Sequence, residues 1–249
     1  METVADIRNL PELTSDTIHI WGLHLQDMQG RLEAFHAILS AEEQEKAARF
    51  HRDSDRQSSI FARGALRILL SGYTGIPIAD IRFNYSENGK PYLVPQAARL
   101  RGSEDESRRA ACDTVSFNVS HSADWVVLAL GRDRKIGVDV EKIKWEMDVM
   151  PIASRYYTDE ECELIEKAED RHTVFFQFWS RKEAYVKAAG SALFRELSSF
   201  SVPLEEKGEK DGWIFHRLEA GSKYAAAVVT DQPLVAVPCY DFGELKWDS

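Results

Sequence analysis

The stretch Ser40-Ala41-Glu42-Glu43 is a capping box, which predicts that a helix begins there. In this motif the serine hydroxyl accepts a hydrogen bond from the amide of the glutamate, and the glutamate carboxylate reaches back to the serine amide. A second box, Thr158-Asp159-Glu160-Glu161, lies in the other half of the chain. Each box follows a β-rich run and precedes a polar helix, an Asp-Arg pair and a long helix ended by glycine. The shared order predicts an α+β fold of two similar halves with a cleft between them, although chance explains the match about as readily as duplication.

The hydrophobic pattern around the boxes predicts the other elements. Two helices are expected at Asp55–Ser71, ended by Gly72, and at Arg171–Ala189. Strands are expected at Thr17–Leu25, Ile81–Phe83, Val115–Val119, Trp125–Leu130, Lys135–Val140, Phe200–Val202, Trp213–Leu218, Tyr224–Val229 and Leu234–Tyr240. Leu100–Asp113 is polar, densely charged and without periodicity, so it is predicted to connect the two halves, residues 1–113 and 114–249.

Composition excludes several classes of protein. With 249 residues, 44% of them hydrophobic and 29% charged, the chain is predicted to be globular. A formal charge of −10 argues against general nucleic-acid binding, which needs clustered cations. The three cysteines form no C-x-x-C pair, and the N-terminus lacks signal-peptide character. Together with the absence of a long apolar run, these features predict a cytoplasmic protein that does not cross a membrane.

One basic region stands out in this acidic chain. Between Lys46 and Arg67 the sequence carries six cations against two aspartates. The region is interpreted either as a solvated helix face, which composition alone favours, or as a site for an anionic ligand.

The stretch Ile136-Gly137-Val138-Asp139-Val140-Glu141 predicts a strand that ends in two carboxylates. Residues two apart share one face of a strand, so Asp139 and Glu141 are expected to point together. Oxygen-rich pairs of this kind hold Mg²⁺ together with substrate phosphates. A solvated strand edge is the alternative interpretation.

The second chemical stretch is Phe178-Trp179-Ser180-Arg181-Lys182-Glu183-Ala184-Tyr185-Val186-Lys187, inside the predicted long helix. Glu183 and Lys187 lie one turn apart, and the simplest interpretation is an ion pair worth about 0.2–0.5 kcal/mol. Lys182 falls on the apolar arc of the helix, so it is expected either to extend its ammonium to solvent or to have a buried partner.

The third stretch is Phe117-Asn118-Val119-Ser120-His121-Ser122. A polar turn after a strand is the simplest interpretation. The alternative is that the histidine contacts an anion. Lys90, which follows an Asn-Gly turn, is open to the same two interpretations.

The three stretches, in this order and with Asn88-Gly89-Lys90-Pro91 upstream, resemble the signature of the surfactin-type 4′-phosphopantetheinyl transferases. The resemblance spans roughly Ser40 to Gly190. It implies a pseudo-dimer of two α+β halves with coenzyme A in the cleft between them. It also implies a magnesium-dependent enzyme that moves the phosphopantetheine arm of coenzyme A onto a serine of an acyl or peptidyl carrier protein and releases 3′,5′-ADP.

The resemblance assigns roles to individual residues. It implies that three acidic residues hold Mg²⁺ and that five further residues contact coenzyme A. The acidic residues are Asp139, Glu141 and Glu183; the coenzyme A contacts are Lys46 and Arg63 near the 3′-phosphate, and Lys90, Ser120 and His121 at the phosphates. Lys187 is implied to contact the phosphates as well, and with Glu183, the implied general base, it forms the catalytic pair. Glu43 departs from the family pattern, in which a basic residue is common at that position.

Two other functions remain open at the level of sequence. One is a coenzyme A-binding regulator without activity, and the other is a Mg²⁺-dependent phosphatase that uses Asp139 and Glu141. The carboxylates together with Lys187 argue against the first, and the lack of a nucleophile motif argues against the second. A chain with two halves is further expected to be a monomer, since shorter relatives build the site between subunits.

Overall fold

The computed structural model describes residues 10–94, 115–190 and 197–245. Helices and strands mix along these ranges in an α+β fold, as the sequence predicts. The predicted connection Leu100–Asp113, which contains Cys112, lies outside the described residues. None of the helices in the described ranges combines the length and apolar character that a membrane crossing requires.

The elements follow one another in this order. The strands are β1 Ile18–His24, β2 Phe83–Tyr85, β3 Pro91–Leu93, β4 Val115–Ser122, β5 Trp125–Arg132, β6 Ile136–Lys142, β7 Lys207–Lys210, β8 Trp213–Leu218, β9 Tyr224–Thr230 and β10 Cys239–Asp241. The α-helices are α1 Leu32–Ala37, α2 Ala41–Ala48, α3 Asp53–Thr74, α4 Met150–Tyr156, α5 Asp159–Lys167 and α6 Arg171–Ala189.

Contacts divide the chain into two compact units, each built from more than one segment. The first contains the residues up to Phe117, Asp124–Asp133 and the residues from Leu234 onward, and the second contains Asn118–Ala123 and Arg134–Pro233. Strand β4 therefore begins in the first unit, while its last residues belong to the second.

The first unit is built on a sheet with the strand order β10-β1-β5-β4. Strand β1 is antiparallel to β5 and parallel to β10. Helix α3 packs against β5 as well as against α1 and α2. Strands β2 and β3 form a separate hairpin.

The second unit is an antiparallel sheet with the order β6-β9-β8-β7, covered by helix α6. The helix contacts β6 and β9, and its Phe175 and Phe178 are buried with Ala227 and Val229 of β9. Strand β6 lies at one edge of this sheet. The edge position leaves one side of β6 open to partners other than β9.

Both predicted capping boxes are confirmed. The Ser40 and Thr158 side chains each accept from the amide three residues on, and Glu43 and Glu161 each bond back to the cap amide. The long helix α6 has the predicted bounds and ends at Gly190, whose φ of 64° lies in the left-handed region.

The predicted end of α3 at Gly72 is wrong. The helix continues to Thr74 and is capped by Gly75, with φ of 71°. Tyr73 explains the extra turn, because its hydroxyl lies 2.8 Å from Nδ1 of His19 and accepts a hydrogen bond from Nε1 of Trp21 at 3.0 Å. These contacts outweigh the weak helix propensity of a single glycine, which costs about 1 kcal/mol.

Three strand predictions need correction. The strand expected at Ile81–Phe83 is β2, two residues later. Phe200–Val202 forms no strand, because its polar backbone atoms bond to helix side chains instead of to a sheet. Of Leu234–Tyr240 only Cys239 and Tyr240 lie in a strand, β10, and Ala236 makes an isolated bridge.

Candidate active site

Glycine at position 137 lets strand β6 approach the backbone of helix α6. A Cβ atom at Gly137 would lie 1.9 Å from the carbonyl oxygen of Ala184 and 2.5 Å from the amide nitrogen of Ala188. Backbone atoms cannot rotate away as a side chain can, so only glycine fits. The close approach brings Asp139, two residues along β6, next to Lys187 of α6.

Asp139 lies at the centre of a cluster of polar side chains from β4, β6 and α6, and its own side chain is only 5% exposed. Its Oδ1 atom accepts hydrogen bonds from the Lys187 ammonium at 2.7 Å and from the Ser120 hydroxyl at 2.8 Å. Its Oδ2 atom is buried and receives no hydrogen bond from any residue in the described ranges. Burial raises the pKa of Asp139, and the contacts with Lys187 and Ser120 offset this only in part.

Glu141 lies two residues further along β6. The Ser122 hydroxyl donates to its Oε2 atom at 3.1 Å. Burial raises the pKa of Glu141, and the negative charge of Asp139 raises it further. The two carboxylates therefore lie near enough to oppose each other's ionisation.

Glu183 extends the cluster from helix α6. Burial, and next the charge of Asp139, raise the pKa of Glu183 to about 7, with a smaller rise due to Glu141 and an opposing effect of Lys187. A carboxyl group with this pKa exchanges its proton readily at neutral pH.

These side chains fit a hard divalent cation such as Mg²⁺. Three carboxylates oppose one another's ionisation, and the buried Oδ2 atom of Asp139 has no donor among the described residues. Mg²⁺ prefers oxygen ligands of this kind. Within the described part of the chain, however, no three His, Cys, Asp or Glu side chains are arranged to hold a metal ion as they stand. Lys187 neutralises part of the charge through Oδ1, which leaves Oδ2 and the two glutamates for a cation.

Lys187 connects α6 to β6. Its ammonium donates to Asp139, to the Ser120 hydroxyl at 3.1 Å and to the carbonyl of Val138 at 3.2 Å. The side chain remains 24% exposed, so the cation is held in place but still reaches solvent. Lys187 thus makes an ion pair with Asp139 of β6, across from the helix, and its charge also acts on Glu183 one turn away.

The two cations before Glu183 have structural roles. Lys182 is fully buried, and its ammonium pairs with Glu161 at 2.9 Å and donates to the carbonyl of Leu197 at 2.7 Å. The expected buried partner is therefore confirmed. Arg181 is also fully buried and donates to the carbonyls of Leu204 and Glu205, both at 3.0 Å. Both cations hold the segment that follows helix α6.

Ser120 and His121 occupy different environments. Ser120 is buried, and its hydroxyl donates its one proton to Asp139. His121 is exposed on the next position of β4, and its charge acts on the ionisation of Asp139. Of this pair, His121 is therefore the side chain that solvent reaches.

The predicted coenzyme A contacts Lys46, Arg63 and Lys90 all belong to the first unit, whereas the carboxylates belong to the second. Lys46 lines a small pocket of about 70 Å³. Its ammonium lies 5.6 Å from the ring centre of Tyr85. Lys90 lies in the hairpin turn between β2 and β3.

Arg63 is constrained by Glu43. Glu43 contacts Arg63 at 3.6 Å and Arg67 at 2.7 Å, and it also forms the capping box of α2. The Arg63 guanidinium lies 4.7 Å from the ring centre of Phe83 and has a buried Nη1 atom without a hydrogen-bond partner among the described residues. Glu43 thus neutralises part of the basic region around Arg63 and Arg67.

Sequence reasoning assigned no role to Asn118 or Ser122. In the structure Asn118 accepts from the amide of Val138 and Ser122 accepts from the amide of Lys142. The available signal was their alternation with Ser120 on one strand, which places the three side chains on one face.

Two family models match this chain. A family model described as "4'-phosphopantetheinyl transferase, N-terminal" matches residues 26–132, and one described as "4'-phosphopantetheinyl transferase superfamily" matches residues 135–237. The second match includes the carboxylates and helix α6.

Several curated proteins are similar over most of their length. The 4'-phosphopantetheinyl transferase HetI of Nostoc sp. is 33% identical over 201 residues, which cover 78% of this chain and 79% of that protein. The 4'-phosphopantetheinyl transferase Sfp of Bacillus subtilis (strain 168) is 31% identical over 196 residues, which cover 76% of this chain and 78% of that protein. With both of its halves matched and most of these relatives covered, the chain belongs to the 4'-phosphopantetheinyl transferase superfamily and is a transferase.

Proposed function

We propose that this enzyme transfers the 4′-phosphopantetheine arm from coenzyme A to a serine of an apo acyl or peptidyl carrier protein, with Mg²⁺ as cofactor. Membership of the family supports the transfer to a carrier protein. The observation that carries the finer proposal is the polar cluster around Asp139, in which a lysine and three acids meet at the contact of β6 and α6.

In this proposal Asp139, Glu141 and Glu183 hold Mg²⁺. When bound, the ion neutralises charge on the pyrophosphate oxygens and orients them for in-line attack. The Oδ2 atom of Asp139, which has no hydrogen-bond partner among the described residues, and the raised pKa of each glutamate support the assignment, because a divalent cation favours the ionised form of every member of the set.

Lys187 and Glu183 are the proposed catalytic pair. The carrier serine oxygen attacks the phosphorus that bears the pantetheine arm, and the bond from that phosphorus to 3′,5′-ADP breaks. Glu183 accepts the serine proton as the general base. Lys187 donates to a phosphate oxygen as negative charge develops there, from an ammonium that Asp139 and Ser120 already orient.

The remaining proposed coenzyme A contacts are Lys46, Arg63, Lys90, Ser120 and His121. Lys46 and His121 are exposed, so of these residues they are the most accessible to a phosphate group. Arg63 has a buried Nη1 atom without a partner in the described part of the chain, despite its contact with Glu43. Ser120 acts mainly through Asp139 and Lys187, since its hydroxyl donates to the Asp139 carboxylate and accepts from the Lys187 ammonium.

The division into halves 1–113 and 114–249 stays a prediction, as do a monomeric state and a cytoplasmic location. Light scattering at micromolar concentration tests the monomer, which an obligate trimer would contradict. The carrier partner is proposed by class alone, and a panel of apo carrier proteins from fatty-acid, polyketide and peptide synthases ranks the possible substrates by kcat/KM.

Mass spectrometry tests the proposed reaction. Apo carrier protein is incubated with the enzyme, Mg²⁺ and coenzyme A, and the carrier is expected to gain the mass of one phosphopantetheine arm. An unchanged carrier with intact coenzyme A would instead indicate a binding protein without activity. An unchanged carrier with dephosphorylated coenzyme A would indicate a phosphatase.

A further inference from the structure

Three alternate side chains of strand β4 bind the open edge of strand β6. Asn118 accepts from the amide of Val138 at 2.8 Å, Ser120 from that of Val140 at 3.4 Å, and Ser122 from that of Lys142 at 3.0 Å. Strand β6 is an edge strand, and these amides alternate along it. Backbone donors near a buried site need partners, and here side chains supply what a neighbouring strand would otherwise provide.

The two serines of this row make a second contact that the asparagine does not. The Ser120 hydroxyl donates to the Asp139 carboxylate at 2.8 Å, and the Ser122 hydroxyl donates to the Glu141 carboxylate at 3.1 Å. In both cases the carboxylate belongs to the residue directly before the one whose amide donates to the serine. The residue in the matching position for Asn118 is Gly137, which has no side chain. A serine hydroxyl has one proton to donate, so accepting the amide and donating to the carboxylate fixes its orientation.

This arrangement matters most for Glu141. Asp139 is short, buried and bonded also to Lys187, whereas Glu141 has one more rotatable bond and is only partly buried. Among the described residues, Ser122 is the hydrogen-bond donor to the Glu141 carboxylate. A metal-ligating carboxylate that is already held in place does not lose rotational freedom when the metal ion binds.

We infer that Ser122 is a positioning residue, which holds the Glu141 carboxylate in its working orientation while it anchors the edge of β6. The inference rests on the proposed function, in which Glu141 is a metal ligand. In this role Ser122 acts through its hydrogen bond to Glu141. Its role differs from that of Asn118, which anchors the strand without contacting a carboxylate.

The test compares three variants of the full chain: Ser122→Ala, Ser122→Thr and Asn118→Ala. Metal binding is measured by calorimetric titration of Mg²⁺ in the presence of coenzyme A, and transfer is measured as kcat and as KM for coenzyme A. Thermal unfolding of each variant is recorded in parallel. Replacing residues that orient metal ligands typically costs 10- to 100-fold in metal affinity or activity.

For Ser122→Ala we expect Mg²⁺ affinity and kcat to fall about 10-fold, with KM for coenzyme A within about twofold of the wild type. Ser122→Thr retains the hydroxyl and should recover most of both losses. Asn118→Ala should lower the melting temperature at least as much as Ser122→Ala, yet leave Mg²⁺ affinity within about twofold.

Two results would overturn the inference alone, and a third would overturn it together with the proposed function. If the wild type binds Mg²⁺ and transfers the arm while Ser122→Ala equals it in Mg²⁺ affinity and kcat, Ser122 has no positioning role although the proposed function stands. The inference also fails if Asn118→Ala loses Mg²⁺ affinity as strongly as Ser122→Ala, because the effect is then one of strand anchoring. A wild type that neither binds Mg²⁺ nor transfers the arm would overturn the proposed function itself, and this inference with it.

Discussion

The Oδ1 atom of Asp139 on strand β6 lies 2.7 Å from the Nζ atom of Lys187 on helix α6, and the same ammonium donates to the carbonyl of Val138. The pair joins the strand to the helix at the point where the acidic side chains gather. The aspartate is 5% exposed and the lysine 24% exposed, so solvent screens the pair only in part. Three properties should therefore depend on this pair: the stability of the second unit, the ionisation of the acidic side chains around Asp139, and the rate of the transfer reaction.

Lys187→Met should destabilise the protein by about 2 kcal/mol at pH 8, because it leaves the buried charge of Asp139 without its cation. It should also abolish most transfer. Urea unfolding measures the first effect and mass spectrometry of the carrier measures the second. The double variant Lys187→Met with Asp139→Asn is the matched control, and it should regain most of the stability. If the double variant is less stable than Lys187→Met alone, the ion pair is not the source of the loss.

Gly137→Ala should be among the most damaging single changes in the second unit. The new Cβ atom would lie 1.9 Å from the carbonyl oxygen of Ala184, so β6 must separate from α6. We expect a loss of more than about 4 kcal/mol in the free energy of unfolding, or an insoluble protein. Gly22→Ala on β1 is the control, since its nearest neighbour is a side-chain atom of Trp125 at 3.1 Å, which can shift. Equal effects at the two positions would argue against a special close approach at Gly137.

Glu183→Gln should change how stability depends on pH. The pKa of Glu183 is raised from 4.5 to about 7 in the folded protein, so the folded state holds this proton more tightly than the unfolded chain does. The stabilisation due to the protonated form is complete below pH 4.5 and is lost as pH rises through 7. Glutamine resembles the protonated acid, and the variant should therefore be more stable than the wild type at pH 8 in EDTA, by roughly 1–2 kcal/mol after allowance for solvent screening.

At pH 5 the difference between Glu183→Gln and the wild type should shrink to a fraction of its value at pH 8, and saturating Mg²⁺ at pH 8 should reverse it, because a ligand that binds the folded state stabilises it. Thermal melts in EDTA and in Mg²⁺ at both pH values measure these differences. A gap that is the same at pH 5 and pH 8 would mean that the Glu183 carboxyl does not titrate in this window.

Glu43→Gln should weaken the first unit through Arg67, which is buried and donates to Glu43 at 2.7 Å. We expect a loss of about 1–3 kcal/mol in the free energy of unfolding, since a buried charged donor loses its anionic partner. The same change leaves Arg63 less neutralised, so KM for coenzyme A should fall by about twofold or more. Glu45→Gln, which removes an exposed pair with Arg49, serves as the control and should change stability by less than about 0.5 kcal/mol. A KM that rises in Glu43→Gln would argue against a phosphate contact of Arg63.

Local signals predicted a large part of this structure. Both capping boxes and the bounds of α6 follow from short-range patterns, and Gly190 ends α6 for a local conformational reason. The partners of charged side chains were not predictable in the same way. Lys182 meets Glu161, and Glu43 meets Arg67, through contacts between separate elements for which the sequence carries no periodic signal.

In the candidate site, too, the partners of the charged side chains were not predictable from local patterns. The D-x-E spacing of Asp139 and Glu141 identified two acids on one strand, and the resemblance to a family added Glu183 and Lys187. A pair with Glu183 along the helix was the simplest interpretation of the Lys187 spacing, but in the structure Asp139 binds Lys187 because Gly137 brings β6 close to α6. A tertiary contact of this kind overrides a local pair worth only a few tenths of a kcal/mol.

The most direct test of the proposed chemistry is the transfer rate to an apo carrier protein as a function of Mg²⁺, with enzyme first stripped of metal by EDTA. The wild type is compared with Asp139→Asn, Glu141→Gln and Glu183→Gln, each verified as folded by circular dichroism. We expect no transfer without Mg²⁺, full recovery when Mg²⁺ is added back, and a loss of about 100-fold or more in kcat for each variant. Undiminished transfer by the stripped enzyme, or near wild-type kcat in two of the three variants at saturating Mg²⁺, would contradict the assignment of these carboxylates as the metal site.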